Sequence, residues 1–268
     1  MLIDTHCHLT YDELAPQIDA VWERAAAAGV MRCITVGTDI ADIQRGIALS
    51  ATRPGIFHAA GIHPHAAGRA NEEELRALEQ LHADPAGSGL SPERLVAVGE
   101  TGLDFHYDFA PRDVQEVVFR RQLVLAIRVR RPVVIHARES EERVCDVLAE
   151  YPVLRDRVVF HCFSGGPELA RRALDMGFWL SFTGVVTFKN ADAIRAAALL
   201  CPPDRMMVET DAPYLAPEPV RKIRPNEPAF VAHTARFLAA LRKEDYAAFA
   251  RATTANAERF FGLPATEE

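Results

Sequence analysis

The sequence predicts an α/β fold: a single (βα)8 TIM barrel with a metal site at the C-terminal mouth of its strands. Short apolar runs alternate with helical segments along 268 residues, and ligand-type side chains stand at the ends of the runs. A barrel of this kind typically needs about 250 residues. The runs are apolar throughout, which is typical of strands buried on both faces of a parallel sheet. We therefore expect one domain over residues 1–268, with an open doubly wound sheet as the alternative architecture.

The first strand carries the most informative pattern in the chain. Leu2 and Ile3 lead into Asp4-Thr5-His6-Cys7-His8, so two histidines lie two positions apart at the end of an apolar run. In an extended strand their side chains point to the same side. Two neutral imidazoles presented together are suited to a divalent metal ion, although two ligands do not complete a site. One packed and one solvated histidine is the other interpretation of this pattern taken alone.

Further strands and helices follow in alternation through the first half of the chain. We predict strands at 32–37 and 56–62 and helices at 15–28 and 40–50. Gly29 closes the first helix, because glycine readily adopts the conformation that ends a helix. Asn71 begins another helix, whose first turn carries three glutamates that suit the helix dipole. Residues 84–92 contain two glycines and predict a surface loop.

In the second half of the chain, four apolar runs each end in a potential metal ligand or catalytic acid. The predicted strands at 95–100, 132–136, 157–161 and 206–210 lead to Glu100, His136, His161 and Asp211. The predicted helices lie at 112–129, 140–151, 167–176 and 191–200, another strand lies at 179–182, and two helices close the chain within 228–261. Packing does not explain ligand-type residues at the same end of four strands. In a barrel those ends meet at one mouth, where chemistry takes place.

Composition indicates an ordinary soluble globular chain, with 49% hydrophobic and 25% charged residues. Five scattered cysteines without a CxxC pair predict free thiols in a reducing compartment. Cys7 and Cys162 adjoin predicted ligands but should face away from them, in the barrel wall. The first residues lack the basic and long apolar regions of a signal peptide, and no run approaches about 18 apolar residues. We therefore expect a cytoplasmic protein that does not bind membranes.

A net charge of −7 argues against a broad surface for duplex DNA, because such surfaces usually carry a basic stripe. Arg221, Lys222 and Arg224 nevertheless form a basic cluster after the last predicted strand. Such a short basic rim suits the end of a single strand or a small phosphate ester. A solvated charged loop is the alternative interpretation of this cluster.

Six segments, spread over nearly the whole chain, together resemble the successive signatures of TatD-type metal-dependent hydrolases. They are Asp4-Thr5-His6-Cys7-His8-Leu9, Gly61-Ile62-His63-Pro64-His65, Gly99-Glu100-Thr101-Gly102-Leu103-Asp104, His136-Ala137-Arg138, His161-Cys162-Phe163-Ser164-Gly165-Gly166 and Glu209-Thr210-Asp211-Ala212-Pro213-Tyr214. The resemblance implies a TIM-barrel DNase of the amidohydrolase superfamily with one or two metal ions. Paired histidines in the first strand are typical of the larger TatD-like branch, from which the namesake nuclease departs.

The resemblance also implies roles for the ligand-type residues. One ion would be held by His6, His8 and Asp211, the second by His136 and His161, and Glu100 would bridge them. We expect two divalent ions per chain, Zn, Mn, Mg or similar; imidazole and carboxylate ligands suit Zn, Mn, Co or Ni better than Mg. Asp211 would also orient the attacking water and take its proton. Glu209 is expected to orient a ligand, and Asp104 does the same or caps the turn before Phe105.

Substrate contacts are predicted at the same mouth. The predicted set is His63, His65, Arg138, Arg221, Lys222 and Arg224. His63 would contact a phosphate or the leaving oxygen and so take part in catalysis, unless His63-Pro64 only shapes the turn. Arg138 would pair with a phosphate, or alternatively with Glu139 or Glu142. The family's loop usually reads Arg-Gly-Lys before Asn-x-Pro; here Asn226-Glu227-Pro228 is kept, but Lys222-Ile223 replaces the glycine.

The expected function is that of a deoxyribonuclease that trims DNA, in particular single-stranded ends, with a metal-activated water. Superfamily relatives with the same ligands hydrolyse amides, lactones or aminoacyl esters, and the ligands alone do not distinguish phosphorus from carbon. His136, in place of a carboxylated lysine, favours the phosphate reaction. A non-catalytic, metal-stabilised scaffold that binds a partner protein is the third hypothesis.

Overall fold

The computed structural model describes residues 1–265, which form eight parallel strands alternating with helices. The strands are β1 (Leu2–Cys7), β2 (Val30–Gly37), β3 (Ile56–Ala60), β4 (Leu95–Asp104), β5 (Val133–Arg138), β6 (Val158–Phe160), β7 (Trp179–Phe182) and β8 (Met206–Val208). The helices are α1 (Ile18–Ala27), α2 (Ile40–Thr52), α3 (Glu72–Ala83), α4 (Arg112–Val129), α5 (Glu141–Ala149), α6 (Pro167–Asp175), α7 (Asp192–Leu200), α8 (Val231–Arg242) and α9 (Tyr246–Phe261). The end of the predicted domain, residues 266–268, lies outside the described residues.

The strands pair in chain order from β1 to β8, each parallel to its neighbours. A parallel bridge between Cys7 and Ala212 brings the end of β1 against the segment that follows β8. This order confirms the predicted (βα)8 barrel over the doubly wound sheet, which would place strands out of sequence order.

Apolar side chains fill the N-terminal end of the barrel. One buried cluster contains residues from all eight strands together with Phe260 and Phe261 of α9. Its strand members are Ile3, Ile34, Val36, Phe57, Ala59, Val96, Ala97, Val134, Val159, Trp179 and Met207. A larger apolar cluster lies between the strands and the surrounding helices. The packed lower end leaves the C-terminal mouth as the part of the barrel interior that can receive a ligand.

Polar residues fix where several helices begin. Asn71 accepts hydrogen bonds from Glu73 N and Glu74 N, while the Glu74 carboxylate accepts from Asn71 N, which completes a capping box. Asp39 and Asp245 cap α2 and α9 in a similar way. The predicted start of α3 is therefore confirmed. The first helix differs, because its first three predicted residues form a separate 3₁₀ turn over Ala15–Gln17 before α1.

Strand β4 runs four residues beyond Glu100, where the predicted strand ends. Gly102 makes this extension possible, since it pairs with His136 of β5 at a φ of +143°. A Cβ atom at position 102 would lie 2.0 Å from the His136 carbonyl oxygen, so only glycine allows the two strands to approach this closely. The extension carries Asp104 up to the mouth of the barrel.

The remaining expectations have mixed outcomes. All five cysteines are free, as predicted. Cys162 faces the mouth and not the wall, because β6 ends at Phe160 and the strand alternation no longer applies at residue 162.

The predicted loop at 84–92 contains a short 3₁₀ helix over Ala86–Ser88. Within residues 1–265, none of the helices combines the length and apolar character that crossing a membrane requires.

Candidate metal centre

Six side chains with ligand-type atoms converge at the C-terminal mouth, and they come from five strands or the residues that follow them. His6 lies in β1 and His8 directly after it, Glu100 in β4, His136 in β5, His161 after β6 and Asp211 after β8. The ladder between β1 and β2 is irregular between Asp4 and Cys7, which is the segment that contains His6. Such irregularities re-aim side chains beside functional sites. The imidazole Nε2 atoms of His6 and His8 lie 3.3 Å apart.

Glu100 lies at the centre of this group and divides it in two. Its Oε2 lies 3.4 Å from His6 Nε2 and 3.9 Å from His8 Nε2. Its Oε1 lies 2.9 Å from both His136 Nδ1 and His161 Nε2. Asp211 Oδ1 belongs to the first half, 3.4 Å from His8 Nε2. Each carboxylate oxygen of Glu100 therefore faces its own set of ligand atoms.

The second nitrogen of three histidines is held by an atom that can only accept a hydrogen bond. His8 Nδ1 lies 3.1 Å from the Val36 carbonyl, and His161 Nδ1 lies 3.1 Å from Glu209 Oε1. His136 Nε2 lies 2.9 Å from Asp104 Oδ2. Each of these nitrogens must carry the proton that it donates. In the neutral ring, the other nitrogen then presents a lone pair toward a carboxylate oxygen of Glu100 or Asp211.

A lone pair facing a carboxylate is repulsive, and either a cation between the two groups or protonation of the ring relieves the repulsion. The pKa values of these histidines shift in the direction that places positive charge beside the carboxylates. Burial would lower the pKa of His161, but Glu100 and Glu209 raise it well above its ordinary value. Burial is likewise outweighed at His8, mainly by Asp211, and at His136 by Asp104 and Glu100, so that both pKa values are raised.

The carboxylates respond in the opposite sense. Burial would raise the pKa of Glu100, but the surrounding imidazoles hold it well below its usual range. Burial is also outweighed at Asp211, whose pKa is lowered by the hydrogen bond with His8 and by the nearby rings. Within residues 1–265, the ion-pair partners of both carboxylates are all histidines, with neither lysine nor arginine among them.

These residues fit a divalent metal centre. Converging ring nitrogens, the buried Glu100 carboxylate and the partly exposed Asp211 carboxylate, with no lysine or arginine paired to either among the described residues, are what a bound cation would satisfy. Three overlapping groups of three drawn from these six residues each have their donor atoms within 4.8 Å of one another, and a fourth such group combines His136 with His63 and His65. His6 adds to the fit, because its buried Nδ1 has no hydrogen-bond partner among the described residues. Binding through Nε2 would leave that Nδ1 as the protonated nitrogen.

His63 differs from the other histidines in the direction of its hydrogen bonds. Its Nδ1 accepts a hydrogen bond from His65 N at 3.1 Å, so the neutral ring carries its proton on Nε2. That Nε2 lies 3.4 Å from Glu100 Oε1. Burial lowers the pKa of His63 to about 4, which keeps the ring neutral. His63 therefore presents a hydrogen-bond donor where the other rings present acceptors.

Two carboxylates orient the imidazoles from behind. Glu209 receives hydrogen bonds from His161 Nδ1, Cys162 N and Ser181 Oγ. Asp104 combines both of its expected roles. Its Oδ2 accepts hydrogen bonds from the Nε2 atoms of His136 and His65, and its Oδ1 accepts hydrogen bonds from backbone N–H groups of the turn that follows β4.

A cavity of about 880 Å³ opens above this centre. Of the predicted substrate contacts, His63, His65 and Arg138 line it. Arg138 pairs with neither Glu139 nor Glu142, which bind His106 and Arg172 instead. The cluster of Arg221, Lys222 and Arg224 is exposed but is not part of the cavity lining, and Arg221 packs over the Phe188 ring at 3.9 Å. The substrate role of that cluster stays a prediction.

Several cavity residues were not predicted from the sequence. They are Tyr11, Thr38, Asp39, Arg69, Tyr107, Phe109, Val185, Tyr214 and Leu215. Tyr11 and Tyr107 stand three residues after His8 and Asp104, in loops that leave the mouth. These two tyrosines could have been identified from the sequence, because each stands only a few residues after a predicted site residue at the end of a strand.

Known proteins of similar sequence and structure match this chain over nearly all of its length. The family model described as TatD related DNase matches residues 3–262. The metal-dependent hydrolase YabD of Bacillus subtilis is 40% identical over 98% of this chain and 100% of its own length. A protein of Erwinia billingiae named 3'-5' ssDNA/RNA exonuclease TatD is 34% identical over 98% of this chain and 100% of its own length. The crystal structure of YJJV, a TatD homolog from Escherichia coli K12, superposes with a TM-score of 0.91 at 30% identity and covers 98% of both chains.

Proposed function

Because this chain belongs to the TatD-related DNase family and is a metal-dependent hydrolase, we propose that it is an exonuclease acting on single-stranded ends of DNA. The observation that carries the proposal is the pattern of hydrogen-bond partners around the histidines of the metal centre. Three histidines face an acceptor with one nitrogen and a carboxylate of Glu100 or Asp211 with the other, whereas His63 accepts a hydrogen bond at Nδ1 and so has its N–H group on the Nε2 that faces Glu100. The proposed metal ligands and the proposed hydrogen-bond donor to the substrate are thus different residues of one cluster.

The proposed ligand sets follow the two oxygens of Glu100. His6, His8 and Asp211 would hold one divalent ion on the Oε2 side, and His136 and His161 the other on the Oε1 side. When bound, such a pair of ions supplies an attacking water of lowered pKa and positive charge toward the phosphodiester oxygens. Imidazole-rich sets of this kind suit Zn or Mn.

Asp211 has the chemistry of the proton acceptor. Its lowered pKa keeps the carboxylate ionised, and its side chain lines the cavity while its backbone N–H is anchored to the His6 carbonyl at 2.9 Å. A positioned general base typically contributes about 10²- to 10⁴-fold to a rate. The same carboxylate would hold a proton taken from water until the product leaves.

His63 would serve the opposite side of the reaction. A departing sugar oxygen carries negative charge and needs a hydrogen bond or a proton. The Nε2–H group of His63 is fixed in direction by the hydrogen bond from His65 N to Nδ1. Arg69 and Arg138, which line the same cavity, supply positive charge for the neighbouring phosphates.

The experiment that tests this function uses metal-stripped protein resupplied separately with Mg, Mn and Zn. Short single-stranded DNA labelled at one end is the substrate, and Asp211→Asn is assayed alongside the parent. We expect a ladder from the parent and a loss of at least about 10²-fold in the variant, because the proton acceptor is removed.

Asp175→Asn is the matched control, since Asp175 is exposed at the end of α6 and does not line the cavity. It makes the same chemical change and should cleave like the parent. The proposal is wrong if protein that binds two ions cleaves no oligonucleotide with any of the three metals, or if Asp211→Asn keeps parental turnover. Hydrolysis of an aminoacyl ester or lactone under those conditions would instead support the carbonyl reaction.

A further inference from the structure

Two groups of aromatic side chains line the cavity, and neither contributes a metal ligand. The first, here called the Phe109 platform, consists of Tyr107, Phe109 and Arg138. The second, the Tyr214 platform, consists of Tyr11 and Tyr214. All five residues line the cavity. The rings lie beside the metal centre: Tyr11 stacks on His8 at 4.7 Å, and Phe109 meets His65 edge-on at 4.7 Å.

Three of these rings are exposed to solvent. Phe109 is 64% exposed, Tyr214 48% and Tyr107 40%. Single exposed apolar residues need no explanation, but a group of them at the rim of a cavity marks a binding surface. The Phe109 platform is also ordered internally, since the Tyr107 and Phe109 rings stack at 5.3 Å and the Arg138 guanidinium lies 4.7 Å from the Tyr107 ring. Prior ordering of this kind reduces the entropic cost of binding.

The barrel topology places the two platforms on opposite sides of the mouth. Tyr107 and Phe109 follow β4, and Arg138 ends β5. Tyr11 follows β1, and Tyr214 follows β8. Because the strands are ordered from β1 to β8 and the ends meet at Cys7 and Ala212, the β4–β5 edge faces the β8–β1 edge across the barrel. The metal centre therefore lies between the platforms.

Resting on the proposed function, we propose that the two platforms are stacking sites for bases on either side of the scissile phosphate of a single strand. Every base has a π-face that stacks on an aromatic ring, and such contacts tolerate any sequence. A duplex keeps its bases inside and offers only its edges, so stacking selects unpaired nucleotides. Phe109, the most exposed ring, would receive one base, and the Tyr214 ring would receive another across the centre. Arg138 adds a positive charge beside the first of them.

The test removes a ring from the enzyme and a base from the substrate in combination. The holoenzyme is assayed for kcat/KM on a short single-stranded oligonucleotide and on versions in which one nucleotide at a time is abasic. Phe109→Ala should lower kcat/KM on the intact strand roughly tenfold or more, mainly through KM. Removal of the base that stacks on Phe109 should lower kcat/KM of the parent by a similar factor. The same abasic substrate should hardly change kcat/KM of Phe109→Ala. Tyr214→Ala should behave in the same way at a different nucleotide.

Two further variants separate stacking from general damage. Phe109→Trp keeps an aromatic face and should restore kcat/KM on the intact strand. Val117→Ala removes an equally exposed side chain, 67% accessible on α4 and outside the cavity lining, and should match the parent on every substrate.

The outcomes distinguish this inference from the function on which it rests. If the parent cleaves no oligonucleotide, both fail. If the parent cleaves but Phe109→Ala loses the same factor on intact and abasic strands, or neither variant depends on a particular base, the nuclease stands and the stacking sites are refuted.

Discussion

The role of each histidine in the centre follows from the atom that its second nitrogen contacts. In their neutral forms, His8, His136 and His161 contact acceptors and keep a lone pair on the other nitrogen, while His63 contacts a donor and keeps an N–H group. The sequence places all four beside strand ends, but it does not reveal these contacts. The partners Val36, Asp104 and Glu209 come from other strands, so the distinction arises only when the barrel forms.

One prediction at the scale of the residue concerns Glu209, the acceptor for His161. Its Oε1 accepts hydrogen bonds from His161 Nδ1 and Cys162 N, and its Oε2 accepts a hydrogen bond of 2.5 Å from the hydroxyl of Ser181. In Glu209→Gln the amide oxygen can still receive the first two groups, and the amide nitrogen can donate to the hydroxyl. The geometry is kept, but the negative charge that makes His161 a stronger ligand is lost. We expect metal affinity to fall about tenfold, near the low end of the 10- to 100-fold effect of such partners.

Competition with a fluorescent chelator measures that affinity, and circular dichroism checks that the fold is intact. Glu168→Gln is the control, since Glu168 is an exposed residue in the first turn of α6. Unchanged affinity in Glu209→Gln would show that the carboxylate charge behind His161 does not matter.

Among the elements of the fold, β4 contributes most to the site, because it carries both Glu100 and Asp104. Its passage to the mouth depends on Gly102, where a Cβ atom would lie 2.0 Å from the His136 carbonyl oxygen at a φ of +143°. Gly102→Ala combines backbone strain with a clash against rigid backbone. We expect a loss of about 3 kcal/mol or more in the free energy of unfolding, together with weakened metal binding, because the clash displaces His136.

Gly89→Ala separates strain from the clash. Gly89 has a φ of +80°, but a Cβ atom there would meet nothing within 4 Å. That variant should lose only about 1–2 kcal/mol in urea unfolding and should bind metal like the parent. Equal destabilisation in the two variants would mean that the close approach of β4 and β5 is not what requires glycine at position 102.

The elements themselves were largely predictable from the sequence. Buried parallel strands are continuously apolar, so runs such as 95–98 and 133–135 mark β4 and β5 clearly. The extension of β4 was missed because the segment from Glu100 to Asp104 contains a glycine and polar residues, which normally end a strand. Cys162 was misplaced because β6 stops at Phe160. Residues in loops, such as Phe109, carry no periodic signal, and their place at the mouth depends on the tertiary fold.

Over the whole molecule, the metal centre connects distant parts of the barrel. Its proposed ligands come from β1, β4, β5, from the residue after β6 and from the segment after β8, and the latter two parts of the chain lie more than 150 residues from His6. A ligand that binds the folded chain but not the unfolded chain stabilises the fold by mass action. Metal removal should therefore lower the stability of the entire barrel and not only of the mouth.

The size of this effect can be predicted. A ligand at 100 times its Kd contributes about 2.7 kcal/mol. For a chain of this size, 1 kcal/mol corresponds to about 2–4 °C in Tm. When Zn or Mn is restored at that concentration, the first ion should therefore raise the Tm of metal-stripped protein by about 5–10 °C in calorimetry, and the two proposed ions together by roughly twice as much. Glu100→Gln should lose most of the gain, because the carboxylate whose two oxygens face the two proposed ligand sets becomes neutral. Glu93→Gln, at an exposed position below the barrel, should keep it. The same rise in Tm in Glu100→Gln would show that the stabilising ion binds outside the centre that Glu100 divides.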